Sequence, residues 1–154
     1  VEAIARNQSR IILSGGNVIY PYVRIMAEGI ENNLMIGENT RIQRRSEIHG
    51  DVEIGQNTII APDVFISSGS HLFDYVPELG INEQDSLYGI VHGRDWSRPI
   101  RVGSDVWIGR VTTVLPGVTI GDRSIIGANS VVTRSIPPGE VWAGSPCRFI
   151  RKRL

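Results

Sequence analysis

An aliphatic residue returns at every sixth position through two long parts of this 154-residue chain. An α-helix repeats about every 3.6 residues and a strand at every second residue, so neither keeps a six-residue period in phase. Four places after each aliphatic residue comes a small or branched one, which shares a strand face with the next aliphatic residue. The aliphatic positions are Ile30, Ile36, Ile42, Ile48, Ile54, Ile60, Ile66, Val102, Ile108, Val114, Ile120, Ile126 and Val132.

The three residues between one short strand and the next must form a corner. Many corners begin with glycine, as at Gly103, Gly109 and Gly127, and we interpret this glycine as a residue that permits a tight turn. A strand this short cannot bury its apolar face alone, so successive hexads must wrap and stack on one another. Thirteen hexads at three per coil predict a triangular prism of a little over four coils.

The repeat divides one predicted domain into segments. Residues 30–71 and 102–137 carry the repeat, whereas residues 1–29 follow it poorly and are interpreted as a lead-in with at most one irregular coil. Residues 72–101 are predicted to form a long loop outside the stack. The repeat is predicted to end after Ile136, because Pro137 and Pro138 follow it and proline cannot donate a hydrogen bond to a neighbouring strand. Residues 138–154 are expected to lie back over the last coils.

The loop is too apolar for a free tail, and we expect it to pack against a neighbouring subunit. Its larger apolar residues are Tyr75, Leu87, Tyr88, Ile90 and Trp96.

Composition argues against several classes of protein. The formal net charge is zero, so no overall field favours nucleic acid or an anionic membrane. No apolar run approaches the ~20 residues of a membrane span, and the polar start VEAIARNQSR is unlike a secretion signal. A cytoplasmic location is therefore expected. Cys147 is the single cysteine, which excludes an internal disulfide and cannot build a metal site by itself.

The stretch VWIGRVTTVLPGVTIGDRSIIGANSVVTRSIPP, followed by AGSPCRFIR, resembles the hexapeptide-repeat acyltransferases. It is most similar to the galactoside, maltose and nodulation-factor O-acetyltransferases and to the acetyltransferases of surface-polysaccharide biosynthesis. The resemblance covers roughly residues 54–71 and 100–151. It implies an all-β fold, a single-stranded left-handed parallel β-helix, although crossover rules favour the right hand in ~98% of cases. It also implies a homotrimer with sites between subunits.

The same resemblance implies an acetyl-CoA-dependent O-acetyltransferase with His71 as its catalytic base. Similar enzymes place their catalytic histidine at this point, where IAPDVFISSGSH ends. A neutral imidazole is suited to removing the proton of an acceptor hydroxyl as that hydroxyl attacks the thioester. The backbone amide of Arg110 would stabilise the oxyanion, at a position where many relatives carry a small residue. The sequence assigns no carboxylate partner to His71.

The resemblance further implies a groove for acetyl-CoA between two prisms. Small residues at Gly109, Gly127 and Ala128 would let the pantetheine arm approach the backbone. Arginine suits the phosphates of the cofactor because its planar fork pairs with their oxygens. The other matching positions are Trp107 along the channel, Thr133 and Arg134 in the groove, and Arg148 and Arg151 at the phosphates.

The acceptor and the reaction class leave alternatives open. Arg41 and His49 stand where sugar acetyltransferases hold their acceptor, in place of a carboxamide and a carboxylate, so the sequence does not name the acceptor. We expect no metal, but a gamma-type carbonic anhydrase uses the same prism and three histidines, and this chain has three: His49, His71 and His92. A β-helix can also be a catalytically silent scaffold.

Overall fold

The computed structural model describes residues 1–29, 31–94 and 96–154. Within these ranges successive short strands belong to three sheets in turn. Through most of the chain, each strand therefore pairs in parallel with the strand three places later. This is the parallel β-helix that the six-residue period predicts. The largely apolar interior of the prism is filled by the repeat's aliphatic side chains, which are buried.

The strands group as follows. Sheet A consists of β1 (Glu2–Ala5), β4 (Arg24–Ala27), β7 (Glu47–His49), β10 (Phe65–Ser67), β13 (Thr113–Val114) and β16 (Val131–Val132). Sheet B consists of β2 (Arg10–Leu13), β5 (Asn33–Ile36), β8 (Val52–Ile54), β11 (Ile100–Val102) and β14 (Thr119–Ile120). Sheet C consists of β3 (Val18–Ile19), β6 (Arg41–Ile42), β9 (Ile59–Ile60), β12 (Trp107–Ile108), β15 (Ile125–Ile126), β17 (Glu140–Ala143) and β18 (Arg148–Lys152), which is antiparallel to β17. We call the corners that join these sheets the A–B, B–C and C–A edges.

Hydroxyl side chains complete the interior at the small positions of the repeat. Thr40 Oγ1 donates a hydrogen bond to the carbonyl oxygen of Gly55 at 3.0 Å, and Thr58 Oγ1 donates to that of Gly103 at 3.1 Å. Both threonines are buried, and a buried hydroxyl is costly unless it is hydrogen-bonded. These residues therefore link each coil to the next.

The corner glycines serve a different purpose from the one that the sequence indicated. Gly55 and Gly109 do not have positive φ. A Cβ on Gly55 would lie 2.6 Å from the carbonyl carbon of Gly103, and one on Gly109 would lie 2.5 Å from the amide nitrogen of Ala128. Close stacking of coils therefore requires glycine at the first corner position. The left-handed conformation falls mostly on the third position, at Asn39, Arg45, Asn57, Asp63, Asp105, Val111, Arg123 and Asn129.

The prism has about six turns rather than a little over four, because residues 1–29 contribute strands to all three sheets. Ile19 pairs with Ile42, 23 residues later, whereas Ile42 pairs with Ile60, 18 residues later. The five extra residues lie at the A–B edge between β4 and β5 and shift the phase of the repeat. Counting sixes therefore misses the first coil. The expected aliphatic position Ile30 lies outside the described residues.

The segment outside the stack contains a helix, α1 (Ile81–His92), where the sequence predicted a structureless loop. Its single buried residue is the polar Gln84, so it lacks the apolar stripe that would have indicated a helix. Gln84 accepts hydrogen bonds from the amides of Tyr75 and Val76 at 3.0 and 3.1 Å and donates one to the carbonyl oxygen of Leu79 at 3.0 Å. Polar contacts therefore hold the helix in place.

Candidate active site

His71 lies where the chain leaves the A–B edge after β10, and α1 supplies its partner. Its Nδ1 is 2.6 Å from Asp85 Oδ2, and the other carboxylate oxygen accepts a hydrogen bond from the amide of Leu72 at 2.8 Å. These two contacts, the Leu72 amide first, lower the pKa of Asp85 below its ordinary value. An ionised Asp85 favours the proton on Nδ1 and leaves Nε2 free to act as a base.

A cavity of about 920 Å³ opens beside His71 and runs along the A–B edge. One wall is formed by the corners that follow β4, β7 and β10, and the other by the end of α1 and the return to β11. This volume is typical of small-molecule sites. Its lining includes Glu28, His49, Phe65, His71, His92 and Trp96.

His49 is the predicted acceptor residue that reaches this cavity. Its ring meets the Phe65 ring edge-on with centroids 5.5 Å apart, and its Nε2 lies 3.2 Å from Glu47 Oε2 without the alignment of a hydrogen bond. Burial is the largest influence on its pKa and lowers it below the usual value, against the attraction of Glu47. The imidazole is therefore neutral at neutral pH.

The other predicted acceptor residue, Arg41, lies elsewhere. It is exposed on β6 in sheet C, whereas the cavity lies along the A–B edge, so one chain does not bring Arg41 beside His71. Its role in acceptor binding stays a prediction.

All three histidines line the cavity, but they are held apart by different partners. His71 contacts Asp85, His49 lies against Glu47, and His92 Nε2 is 3.3 Å from the hydroxyl of Tyr75. In residues 1–29, 31–94 and 96–154 no three His, Cys, Asp or Glu side chains converge in a group that could hold a metal ion.

The predicted oxyanion donor lies at the C–A edge, on the corner between β12 and β13. Gly109, Arg110 and Val111 form this corner, and Gly127 and Ala128 belong to the next corner along the same edge. No described residue accepts a hydrogen bond from the Arg110 amide. Trp107 precedes the corner on β12 and is half exposed. Gly109 is buried against the next corner, whereas Arg110 and Ala128 are exposed. The role of these residues in cofactor binding stays a prediction.

The predicted phosphate ligands lie on the C-terminal hairpin and have no acidic partner in the described part of the chain. The guanidinium groups of Arg148 and Arg151 contact only backbone carbonyls, those of Cys147 and of Lys152 and Arg153. Lys152 and Arg153 instead form ion pairs with carboxylates. The two predicted arginines are therefore the tail cations available to an anion.

The predicted site residues fall into two groups within one chain. His71 lies at the A–B edge, and Thr133 and Arg134 follow β16 at the same edge. Trp107, Arg110 and the glycines lie at or beside the C–A edge, across sheet A. The members of each group share an edge, and the two edges lie on opposite sides of sheet A.

Comparison with known proteins agrees with this architecture. The family model of the bacterial transferase hexapeptide (six repeats) matches residues 33–68 and 99–134. A galactoside O-acetyltransferase from Escherichia coli (strain K12) is 43% identical over 123 residues, which are 79% of this chain and 55% of that protein.

Two solved structures superpose over nearly the whole chain. A galactoside acetyltransferase in complex with coenzyme A has a TM-score of 0.71 and 34% identity over 96% of this chain and 66% of that one. A maltose O-acetyltransferase from Clostridium difficile 630 has a TM-score of 0.72 and 32% identity over 92% of this chain and 70% of that one. The chain belongs to the hexapeptide-repeat acetyltransferases.

This hexapeptide-repeat acetyltransferase chain spans about half the length of the curated relatives it matches. Among the described residues, no helix is both long and apolar enough to span a membrane.

Sequence reasoning missed two residues that contact predicted site residues of this hexapeptide-repeat acetyltransferase. Asp85 was hidden because α1 shows no apolar periodicity and the helix was not predicted. Asp63, whose carboxylate accepts a hydrogen bond from the Arg110 side chain at 2.9 Å, was not singled out by the sequence analysis. Its position in the repeat is the signal that could have found it, since Asp63 and Arg110 occupy neighbouring corners of one edge.

Proposed function

We propose that this protein transfers the acetyl group of acetyl-CoA to a hydroxyl of a saccharide acceptor. The observation that carries the proposal is the 2.6 Å contact between His71 and Asp85 at the mouth of the cavity. Such a pair is what a general base with an orienting carboxylate requires. The solved relative that contains coenzyme A supports the choice of acetyl donor, and the galactoside and maltose O-acetyltransferases support a sugar hydroxyl as acceptor.

In this mechanism His71 Nε2 removes the proton of the acceptor hydroxyl as its oxygen attacks the thioester carbonyl. The new carbon–oxygen bond forms a tetrahedral oxyanion, and the Arg110 N–H donates to it. Collapse breaks the carbon–sulfur bond, and the imidazolium returns the proton to the departing thiolate. The products are an O-acetyl ester and free coenzyme A. Asp85 stabilises the imidazolium in between. Because the acceptor oxygen attacks the thioester directly, no covalent enzyme intermediate is needed.

The active protein in this proposal is a homotrimer with sites between protomers. His71 and Arg110 lie across sheet A from each other in one chain, so a site that contains both takes one from each of two chains. Cyclic symmetry then yields three equivalent sites. In such a trimer the segment outside the stack, residues 72–101, would also pack against the neighbouring protomer.

In the proposed groove, acetyl-CoA lies along the C–A edge of one protomer. Arg148 and Arg151 would meet its phosphates, and the glycine corners would admit the pantetheine arm. Thr133 and Arg134 lie on the edge that carries His71 and would line the groove from the other protomer. The acceptor would fill the cavity between His71 and His49. With a saccharide as acceptor, the proposed reaction would take part in polysaccharide biosynthesis.

Measuring acetyl-CoA turnover tests the function. Wild type and His71→Ala are compared with a panel of mono- and oligosaccharide acceptors, by detection of released thiol. Removing the base should lower kcat by roughly 10²- to 10⁴-fold while calorimetric affinity for acetyl-CoA is retained. Equal rates in the two proteins would show that His71 is not the base.

Two further measurements separate the alternatives. Light scattering should yield three times the 17.0 kDa mass of one chain, and a stable monomer would contradict an interfacial site. Metal analysis of purified protein should find no stoichiometric zinc. One zinc per chain, together with hydration of carbon dioxide, would favour the metalloenzyme, and an absence of both activities would favour the silent scaffold.

A further inference from the structure

Three charged side chains line the C–A edge beside the proposed oxyanion donor. Arg45, Asp63 and Arg110 belong to three successive corners of this edge. Asp63 Oδ1 accepts a hydrogen bond from Arg45 Nε at 2.6 Å, and Asp63 Oδ2 accepts from Arg45 Nη2 at 3.1 Å and from Arg110 Nε at 2.9 Å. One carboxylate therefore binds an arginine from the coil before it and an arginine from the coil after it. We call these three residues the edge triad.

The edge triad is charged but poorly placed to stabilise the fold. Arg45 first and Arg110 second lower the pKa of Asp63 to about 2, so its carboxylate is ionised wherever acetyl transfer would be assayed. The side chains of Arg45 and Arg110 are 51% and 62% exposed. Exposed ion pairs contribute little to stability because water and salt screen them. Their effect is therefore more on the position of side chains than on the stability of the prism.

The position of the Arg110 side chain matters because the same residue carries the free amide. Asp63 draws its guanidinium toward the preceding coil, whereas the corner of Gly127 and Ala128 lies on the following coil. The backbone of Arg110 is fixed on that side as well, since its carbonyl oxygen accepts a hydrogen bond from the Asn129 amide at 2.8 Å. An arginine without such a partner samples many rotamers, including rotamers that cover its own N–H.

We propose that Asp63 is a positioning residue for acetyl transfer. It holds the Arg110 side chain against the preceding coil and keeps the Arg110 N–H open to the thioester carbonyl oxygen. The inference rests on the proposed function, which assigns the oxyanion to that amide. It also explains how an arginine is tolerated at a position where many of the enzymes that this sequence resembles carry a small residue.

A double-mutant cycle tests whether Asp63 acts through the Arg110 side chain. Four full-length proteins are compared: wild type, Asp63→Ala, Arg110→Ser and the double variant. In the wild-type background, loss of Asp63 should lower kcat/KM for acetyl-CoA roughly 10-fold, within the range of coupling between contacting residues. In the Arg110→Ser background the same loss should change kcat/KM by less than about 2-fold, because no long side chain remains to be held.

Binding measurements separate this role from a merely structural one. Calorimetry should show weaker binding of acetyl-CoA to Asp63→Ala, and unchanged binding of adenosine 3′,5′-bisphosphate, which lacks the acetyl end. Asp105→Ala is the matched control, because Asp105 is also a left-handed corner aspartate bound to an arginine, Arg153 at 3.0 Å, but lies on the B–C edge. Its kinetics should equal those of wild type. If Asp63→Ala does not fold, Asp63→Asn replaces it in the cycle.

Each outcome is decisive. An equal loss in both backgrounds would show that Asp63 acts through the corner and not through the Arg110 side chain, and no loss in either would show that it positions nothing. Both results overturn the inference and leave the proposed function standing. A wild-type protein that neither binds nor cleaves acetyl-CoA would remove the proposed function, and the inference with it.

Discussion

The C–A and A–B edges of this prism are built in different ways. At the C–A edge each corner follows the last without insertion through the second half of the chain, and backbone bonds join Val111 N to Pro62 O at 3.2 Å and Asn129 N to Arg110 O at 2.8 Å. At the A–B edge the chain leaves the stack three times, briefly after β1 and after β4 and for about thirty residues after β10. One edge repeats, and the other is interrupted.

This difference divides the chemistry of the proposed site. The regular C–A edge offers backbone amides at its corners, because close stacking leaves no room for a side chain at the first corner position. The interrupted A–B edge offers side-chain chemistry, because the extruded segment folds back and sets Asp85 against His71. A regular solenoid thus supplies a groove, and an insertion into it supplies a base and a cavity.

The contact that defines the A–B edge can be broken by Asp85→Asn. Asparagine cannot stabilise an imidazolium, and its amide can donate to Nδ1 and favour the wrong tautomer, so we expect kcat to fall by up to about 10²-fold, as misplaced catalytic groups do. Steady-state kinetics with acetyl-CoA and an active acceptor measure this loss. Asp74→Asn makes the same change at an exposed position in the same segment and should retain full kcat. An equal effect of the two variants would contradict the assignment.

The stacking that defines the C–A edge can be broken by Gly109→Ala. The added Cβ would lie 2.5 Å from Ala128 N and 2.7 Å from the carbonyl oxygen of Ile126, so the coils must separate. We expect a lower free energy of unfolding by about 1–3 kcal/mol, as for other overpacked sites. Urea titration measures it. The same change at Gly89, which has nothing within 4 Å of the added atom, should not destabilise the protein; similar losses would argue against the stacking explanation.

The smallest expected effect concerns His49 and the pH dependence of stability. Burial keeps the folded-state pKa of His49 below its ordinary value of 6.5, so the unfolded chain binds a proton that the folded chain refuses. Stability should therefore fall as pH drops below about 6.5 and level off below the folded-state pKa. Urea titrations between pH 7 and pH 5 should show a steeper decline in wild type than in His49→Gln. Parallel declines would mean that this imidazole is not shielded from water.

Much of the prism could be predicted from the sequence because each inward position must be aliphatic. Ile36 stacks on Ile54, and that residue on Val102, across the interruption and in the register that counting predicts. The first coil could not be predicted in this way, because extra residues at the A–B edge shift its phase. Helix α1 could not be predicted either, since hydrogen bonds of Gln84 hold it in place and its sequence has no apolar periodicity.

The six-residue period by itself determined the β-helix, its core and the place where the stack opens, because burial at each sixth residue is a local constraint that can be counted along the chain. The tertiary structure alone decided that Asp85 reaches His71, that Asp63 binds Arg110, and that His71 and Arg110 lie on opposite sides of sheet A. These contacts join residues 14 and 47 positions apart, across or within an insertion that has no period. The folded path of that insertion sets the distance between His71 and Asp85, and the stacking of the corners on either side of it sets the distance between Asp63 and Arg110.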